Sequence, residues 1–433
     1  MAHDDLEIGN HYFCREEMTG NCHGGIFNFQ ANEMTVELYA FDEIHIGVDL
    51  ENVLILRLAN NSMLSLHSNI RAAGTVAYVD IDNERQTTCL RVLSNVVIAG
   101  DSPWPHTKPI RRLSFSMEHS DELLRYSDKY DAIIEAELGD MPETTLFAVE
   151  ADGMIFKAWY SVSGGLSLEP THIGVRYGID FLEPRYLHSY MPELQRLLHF
   201  VSAALGHPFT PSDIEFSCLT DEEYEAAVEA RKGYKEHKAH YVWPANPPHH
   251  NLWISSSFAH VRGETELAAF LECLKAWISR DAAWRSANNL MISSLVLQDT
   301  LSGERLLNAC RWLEEIPGAD SEVAVSEEDI DAIAAVASAE AERLGHKNYE
   351  SRIAGVIRGQ LKKESNKERF TRLHRSICKS FRNGALNESA IEYFLKALEF
   401  RAKIAHGHFI PSDEAEHRLF EKSIYAMEAL CYL

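Results

Sequence analysis

From about residue 24 to residue 180 the chain reads as short extended runs such as Gly25-Ile26-Phe27-Asn28-Phe29, Thr35-Val36-Glu37-Leu38-Tyr39, Val53-Leu54-Ile55-Leu56 and Thr75-Val76-Ala77-Tyr78-Val79, several of which alternate apolar and polar positions. A period of two sends successive side chains to opposite faces, and the Asn, Asp and Gly between the runs supply turns. The pattern predicts antiparallel strands, continued at residues 88–99, 112–115, 146–149, 154–159 and 173–177. Their spacing suits a sandwich or an open barrel. Residues 184–205 then predict a helix, with Leu194, Leu197, Leu198 and Val201 on one face.

Three prolines and a His-rich, locally basic composition break the pattern at residues 230–252, which predicts an exposed linker or long loop. Beyond residue 262 only helical spacing remains, at 263–300, 302–316, 326–345, 349–382, 388–406 and 413–431, with breaks at Pro317-Gly318, Gly345, Asn383-Gly384 and Gly407. Asn387 stands before the row Ile391, Phe394, Leu395, Leu398, Ala402 and Ala405, and Gly407 closes it. Pro411-Ser412-Asp413-Glu414 restarts the chain, so the last two helices form a hairpin about Gly407. The predicted class is α+β: a β-rich, sandwich-like domain over residues 1–255, then an all-α bundle over residues 262–433. The length agrees, because single cores stop growing near ~250–300 residues.

Charge changes the picture once it is divided. The chain carries 41 Lys+Arg against 65 Asp+Glu, a net −24, which taken whole argues against a polyanionic partner. Residues 341–433 hold 17 basic and 12 acidic side chains, or +5, which leaves −29 on residues 1–340. Within residues 343–382 the ratio is 12 to 3, and Arg372, Arg375, Lys379 and Arg382 follow a three-four-three spacing opposite Leu373, Ile377 and Phe381. That arrangement is either a solvated helix face or a stripe that binds RNA phosphates without reading bases. The eight scattered cysteines fit reduced thiols in a cytoplasmic protein. The acidic start lacks the marks of a secretory signal, and no apolar run nears the ~18–20 residues of a membrane helix.

The segment with chemical potential is Phe400-Arg401-Ala402-Lys403-Ile404-Ala405-His406-Gly407-His408. An Arg fork matches phosphate oxygens, and a His at a helix end titrates near neutral pH and can move a proton. The bland alternative is that both cations complement the helix dipole. Cys14-x7-Cys22-His23 and His237-x2-His240 with His249-His250 lack the partners and spacing of a metal site. The glycines around Gly20 to Gly25 lack the strand-then-helix setting and the Lys of a phosphate loop, which excludes a nucleotide-triphosphatase reading.

Arg-x4-His-Gly between the last two helices of a terminal bundle, preceded by Glu304-Arg305-Leu306-Leu307-Asn308-Ala309-Cys310-Arg311-Trp312-Leu313-Glu314, resembles the HEPN superfamily. More closely, with Gly25-Ile26-Phe27, Leu113-Ser114-Phe115-Ser116-Met117 and Leu197-Leu198-His199-Phe200-Val201-Ser202 before Gly206-His207-Pro208-Phe209, the chain resembles the ApeA-like HEPN proteins of bacterial antiphage defence. Where that family often has a polar residue after the Arg, this chain has Ala402. The resemblance implies a metal-independent endoribonuclease, with Arg401 and His406 as catalytic residues and no cofactor; His408 is either a helper or, the commoner case, a solvent-exposed loop histidine. The resemblance also implies pairing of two chains through the helical domain, so that two His406 side chains meet. On this reading the acidic β-rich domain answers to a protein trigger of phage origin. The competing expectation is a silent HEPN module that binds nucleotide or RNA beside a protein-sensing β-rich domain.

Overall fold

The computed structural model describes residues 6–7, 9–17, 23–30, 33–40, 53–67, 71–80, 85–117, 123–124, 127–135, 143–163, 172–220, 222–224, 226, 237–241, 261, 263–297, 300–323, 325–346, 348, 350–380, 386–407 and 411–433. Contacts divide the chain into two compact units, Met1–Ser279 and Arg280–Leu433. The division falls inside the helix Glu264–Val296, beyond the boundary at 255–262 expected from the sequence. The reason is that Phe270, Leu274 and Ile278 in the first half of this helix belong to a core of the β-rich unit.

In the first unit the strands are β1 (His11–Glu16), β2 (Gly24–Gln30), β3 (Glu33–Ala40), β4 (Leu54–Leu58), β5 (Met63–His67), β6 (Arg71–Asp80), β7 (Arg85–Ser94), β8 (Val96–Gly100), β9 (Ile110–Met117), β10 (Thr145–Ala151), β11 (Met154–Ser163), β12 (His172–Arg185), β13 (Pro211–Ser217) and β14 (His237–Tyr241). The helices α1 (Ser127–Glu135) and α2 (Met191–Leu205) accompany them. In place of two separately bonded sheets, these strands form one antiparallel ladder in the order β10-β11-β12-β9-β13-β14-β8-β5-β4-β1-β2-β3-β7-β6.

One ladder serves two cores because alternation along β8 divides its side chains. Val97 joins Phe27, Val36, Leu56 and Leu64 in one core. Its neighbour Ile98 joins Trp104, Phe115, Tyr177 and Phe216 in the other, which Leu197 and Val201 of α2 also enter. The β10–β11 hairpin turns on Asp152-Gly153, both at positive φ (51° and 72°), as a two-residue turn between right-twisted strands requires.

Three sequence expectations change here. The strand β1 lies before the region read as extended. The strand β12 runs on to Arg185, so the helix expected from 184 starts at Met191. Residues 230–252 are not all linker: β14 lies inside them, bonded between β13 and β8, with His237 and Ala239 buried. The flanking residues 230–236 and 242–252 lie outside the described residues. A five-residue strand rich in His carries too little apolar alternation to stand out against three nearby prolines.

The second unit holds the end of α3 (Glu264–Val296), then α4 (Gly303–Glu315), α5 (Glu327–Arg343), α6 (Glu350–Leu361), α7 (Asn366–Ser380), α8 (Ala390–Ala405) and α9 (Glu414–Tyr432). The single helix expected over 349–382 is two helices. Ser365 and Glu368 form a reciprocal cap, with Glu368 N donating to Ser365 Oγ at 3.3 Å and Ser365 N to Glu368 Oε2 at 2.7 Å, which starts α7 afresh. The core forms where α9 packs on α4 and α8, through Phe400 against Phe420 (ring centroids 5.4 Å apart) and Trp312 against Tyr432 (6.3 Å). Phe370 of α7 meets Phe394 of α8 at 5.4 Å. The second unit is thus helical, as expected, and the chain as a whole is mixed: antiparallel sheet first, helices after.

Candidate functional site

The buried row of α8 is Ala390, Phe394, Ala397 and Phe400, rotated from the row expected from the sequence, so that Ala402 and Ala405 are exposed. Arg401 follows Ala397 by one helical turn and therefore stands at the edge of this buried face. From there its guanidinium crosses to α4, where Nη1 donates to Glu314 Oε1 at 2.5 Å and Nη2 to Glu314 Oε2 at 3.4 Å. The Glu314 carboxylate raises the guanidinium's already high pKa further, against a smaller effect of burial. About a third of the Arg401 side chain stays open to solvent (34%).

The helix ends by backbone geometry. His406 N donates to Ala402 O (3.2 Å), Gly407 N donates to Ile404 O (2.9 Å), and Gly407 takes φ +71°, the left-handed conformation that glycine reaches without a Cβ clash. His406 sits at this cap, exposed, and its ring makes no hydrogen bond among the described residues. Five helical steps amount to about 500°, so Arg401 and His406 leave the helix end about 140° apart. The structure therefore brings Arg401 to Glu314, and His406 leaves the helix end on a different side. His408 lies outside the described residues.

The expected cationic stripe on α7 divides in two. Arg372 is occupied: Nη2 donates to Glu364 Oε1 (2.6 Å) and to Asp320 O (2.7 Å), and Nη1 lies 3.4 Å from Glu322 Oε1. Glu364 holds the Arg372 guanidinium's pKa up, and Arg372 holds the Glu364 carboxyl below its ordinary range. One turn earlier, Arg369 Nε donates to Ala319 O at 2.6 Å. These two arginines tie α7 to the connection between α4 and α5, so the Arg372 guanidinium is engaged within the chain. Arg375 and Lys379 are exposed and form no ion pair among the described residues. Arg382 lies outside them.

Between α8 and α9 a groove of about 390 Å³ is lined by Phe400, Lys403, Glu416 and Leu419 among others. Its cations are neutralised locally, Lys403 by Glu416 (3.3 Å) and Lys396 by Glu399 (2.6 Å), so it offers no net attraction to an anion. Among the described residues no group of three or more His, Cys, Asp or Glu side chains is placed to hold a metal ion, and no helix is long and apolar enough to cross a membrane.

Glu314 is the site residue that sequence reasoning missed. Its partner is 87 positions away, and no local spacing signals a contact at that separation. No family model, no curated protein and no solved structure matches this chain.

Proposed function

We propose that the helical unit is a metal-independent endoribonuclease of the HEPN type, acting in antiphage defence and completed by a second copy of the chain. The observation that carries this reading is the end of α8: a guanidinium held by Glu314 and still part-exposed, and an exposed imidazole five residues further on at the Gly407 cap. In the reaction His406 takes the proton of a ribose 2′-hydroxyl, whose oxygen attacks phosphorus as the bond to the 5′-oxygen breaks. The departing 5′-oxygen receives a proton from the second His406, and Arg401 balances charge on the non-bridging oxygens. No water is consumed, and the products are a 2′,3′-cyclic phosphate and a 5′-hydroxyl. Incubation of the purified chain with RNA in EDTA tests this: cleavage to cyclic-phosphate ends is expected, and activity that requires added Mg²⁺ overturns it.

The angular separation of Arg401 and His406 about the helix end supports a site completed by a second chain. If a site needs His406 from each partner, mixing and re-equilibrating wild type with an equal amount of His406→Ala leaves about a quarter of the dimers intact. Activity is then expected to fall to about a quarter of that of the unmixed enzyme at the same total concentration. A fall to one half sinks the shared site.

RNA approach is assigned to the exposed cations of α7. Arg375→Ala with Lys379→Ala is expected to weaken RNA binding and to lower the slope of log affinity against log salt by about 0.7 for each charge removed. Arg372→Ala should leave the slope unchanged and lower thermal stability instead; an equal loss of slope in Arg372→Ala returns that residue to the RNA surface. The acidic part of the chain, −29 through residue 340, repels RNA and suits a basic protein, so the trigger is assigned there. The silent-module reading rests on exposed Ala402, an apolar residue directly after Arg401.

A further inference from the structure

In the sheet β8 lies between β14 and β5, and pairing puts His237 and Ala239 of β14, Gly100 and Ile98 of β8, and Ser65 and His67 of β5 on one face. The chain leaves β8 at Gly100, and residues 101–109 fold back across that face before β9 begins. Trp104 is the centre of this loop. It is fully buried, its amide donates to Ser65 Oγ at 2.8 Å, and its ring lies 4.8 Å from the ring of His237. His237 is held from the other side by Ser102, whose carbonyl accepts from Nε2 at 3.0 Å. A Cβ on Gly100 would stand 2.4 Å from the His237 ring, so the close approach needs glycine. His67, fully buried, lies under His106 of the same loop at 4.9 Å between rings.

The packing accepts these two imidazoles only as neutral rings. With the Nε2 hydrogen of His237 given to Ser102, Nδ1 is bare. That atom and both ring nitrogens of His67 are buried without a hydrogen-bond partner among the described residues. A second ring proton puts a charge on a buried imidazole, a cost that the backbone at Trp104, toward His67, and at Ser102, toward His237, only partly offsets. The charged and titratable groups that face the pair are His106 over His67, and Lys108 and Asp101 beside His237, with Cys218 acting on Lys108. His106 and Lys108 oppose a further positive charge, while the backbone at Trp104 and Ser102 and the Asp101 carboxylate favour one.

We propose that residues 101–109 form an acid-released latch, shut while His67 and His237 beneath it are neutral and opened when they take up protons. Burial, then His106, pushes His67 down to about 3, and burial, then Lys108, pushes His237 down to about 4. Both values lie below the ordinary 6.5. The closed loop therefore has their full support above pH 6.5 and loses it as pH falls toward those values. Between pH 7.5 and 5.5 the ratio of open to closed loop rises about tenfold for each imidazole and about a hundredfold for the two.

Hydrogen exchange read by mass spectrometry on the full chain at these two pH values, corrected for intrinsic exchange, compares the loop amides of Trp104, His106 and Lys108 with amides of β11 and β12. The expected result is a rise in loop opening of about a hundredfold, confined to the loop, and about tenfold in either His67→Gln or His237→Gln. Should the variants lose protection throughout, the wild-type comparison alone decides. A loop that opens no more at pH 5.5 than at pH 7.5 overturns the latch. So does a rise shared equally by β11 and β12, which is acid unfolding of the sheet, or a rise undiminished in both variants.

Discussion

Arg401→Ala and His406→Ala should each suppress RNA cleavage by at least about a hundredfold while the far-UV circular dichroism of the chain stays unchanged. The two halves of this expectation have separate causes. Removing a donor that balances charge on the reacting phosphate costs about 10²–10³ in rate, and removing the proton-transfer group about 10²–10⁴. The fold, by contrast, has little at stake. The Arg401–Glu314 pair is part-exposed at both ends, 34% and 47%, so screening by water limits its contribution to about 1 kcal/mol or less. His406 makes no side-chain hydrogen bond among the described residues, and its favourable position at the helix C-terminus amounts to about 0.3–1 kcal/mol. Initial rates on a fluorescent RNA substrate in EDTA, read beside the dichroism, separate chemistry from folding. Two well-folded variants that cut at the wild-type rate would falsify the assignment of the site to the end of α8.

How much of this was legible beforehand depends on the range of each interaction. Short-range signals held: alternation marked most strands, and Gly407 marked the end of α8. Three- and four-residue spacing found most of the helices. The Ser365-Glu368 cap was also present in the sequence, as a Ser followed three residues later by Glu, and reading it would have divided the helix expected over 349–382. What the sequence hid was pairing between distant segments. A run of basic residues looks the same whether or not its cations are occupied, and Arg372 is occupied by Glu364 and by a carbonyl 52 positions away. Likewise, nothing near His237 in sequence shows that Gly100 and Trp104 wait to enclose it. A His-rich stretch reads as solvated until the sheet order is known.

The largest expected loss of stability comes from one buried side chain. Arg305, in the first turn of α4, has a side chain 4% exposed. Its Nε and Nη2 donate to Glu428 Oε1 and Oε2 of α9 at 2.8 and 2.7 Å, Nη1 donates to Thr300 O at 3.2 Å, and Ser294 Oγ of α3 donates to the same carboxylate at 2.5 Å. Three helices therefore meet on one bidentate pair, with Tyr425 stacked 5.1 Å from the guanidinium. Such a pair contributes modestly when intact, because desolvation of both charges offsets most of their attraction. Broken, it is costly: Arg305→Ala strands the Glu428 carboxylate among buried neighbours at about 3–5 kcal/mol. In a unit of this size that corresponds to a fall in Tm of about 6–20 °C. Replacing both partners, Arg305→Met with Glu428→Leu, leaves no orphaned charge and is expected to return Tm to within a few degrees of wild type. Thermal melts of the full chain followed by far-UV circular dichroism, which weights the helical unit, distinguish the cases. If Arg305→Ala melts with the wild type, the pair does not hold α4 to α9. If the double variant is no more stable than the single one, the contacts of Arg305 with Thr300 and Tyr425, rather than the stranded carboxylate, set the loss.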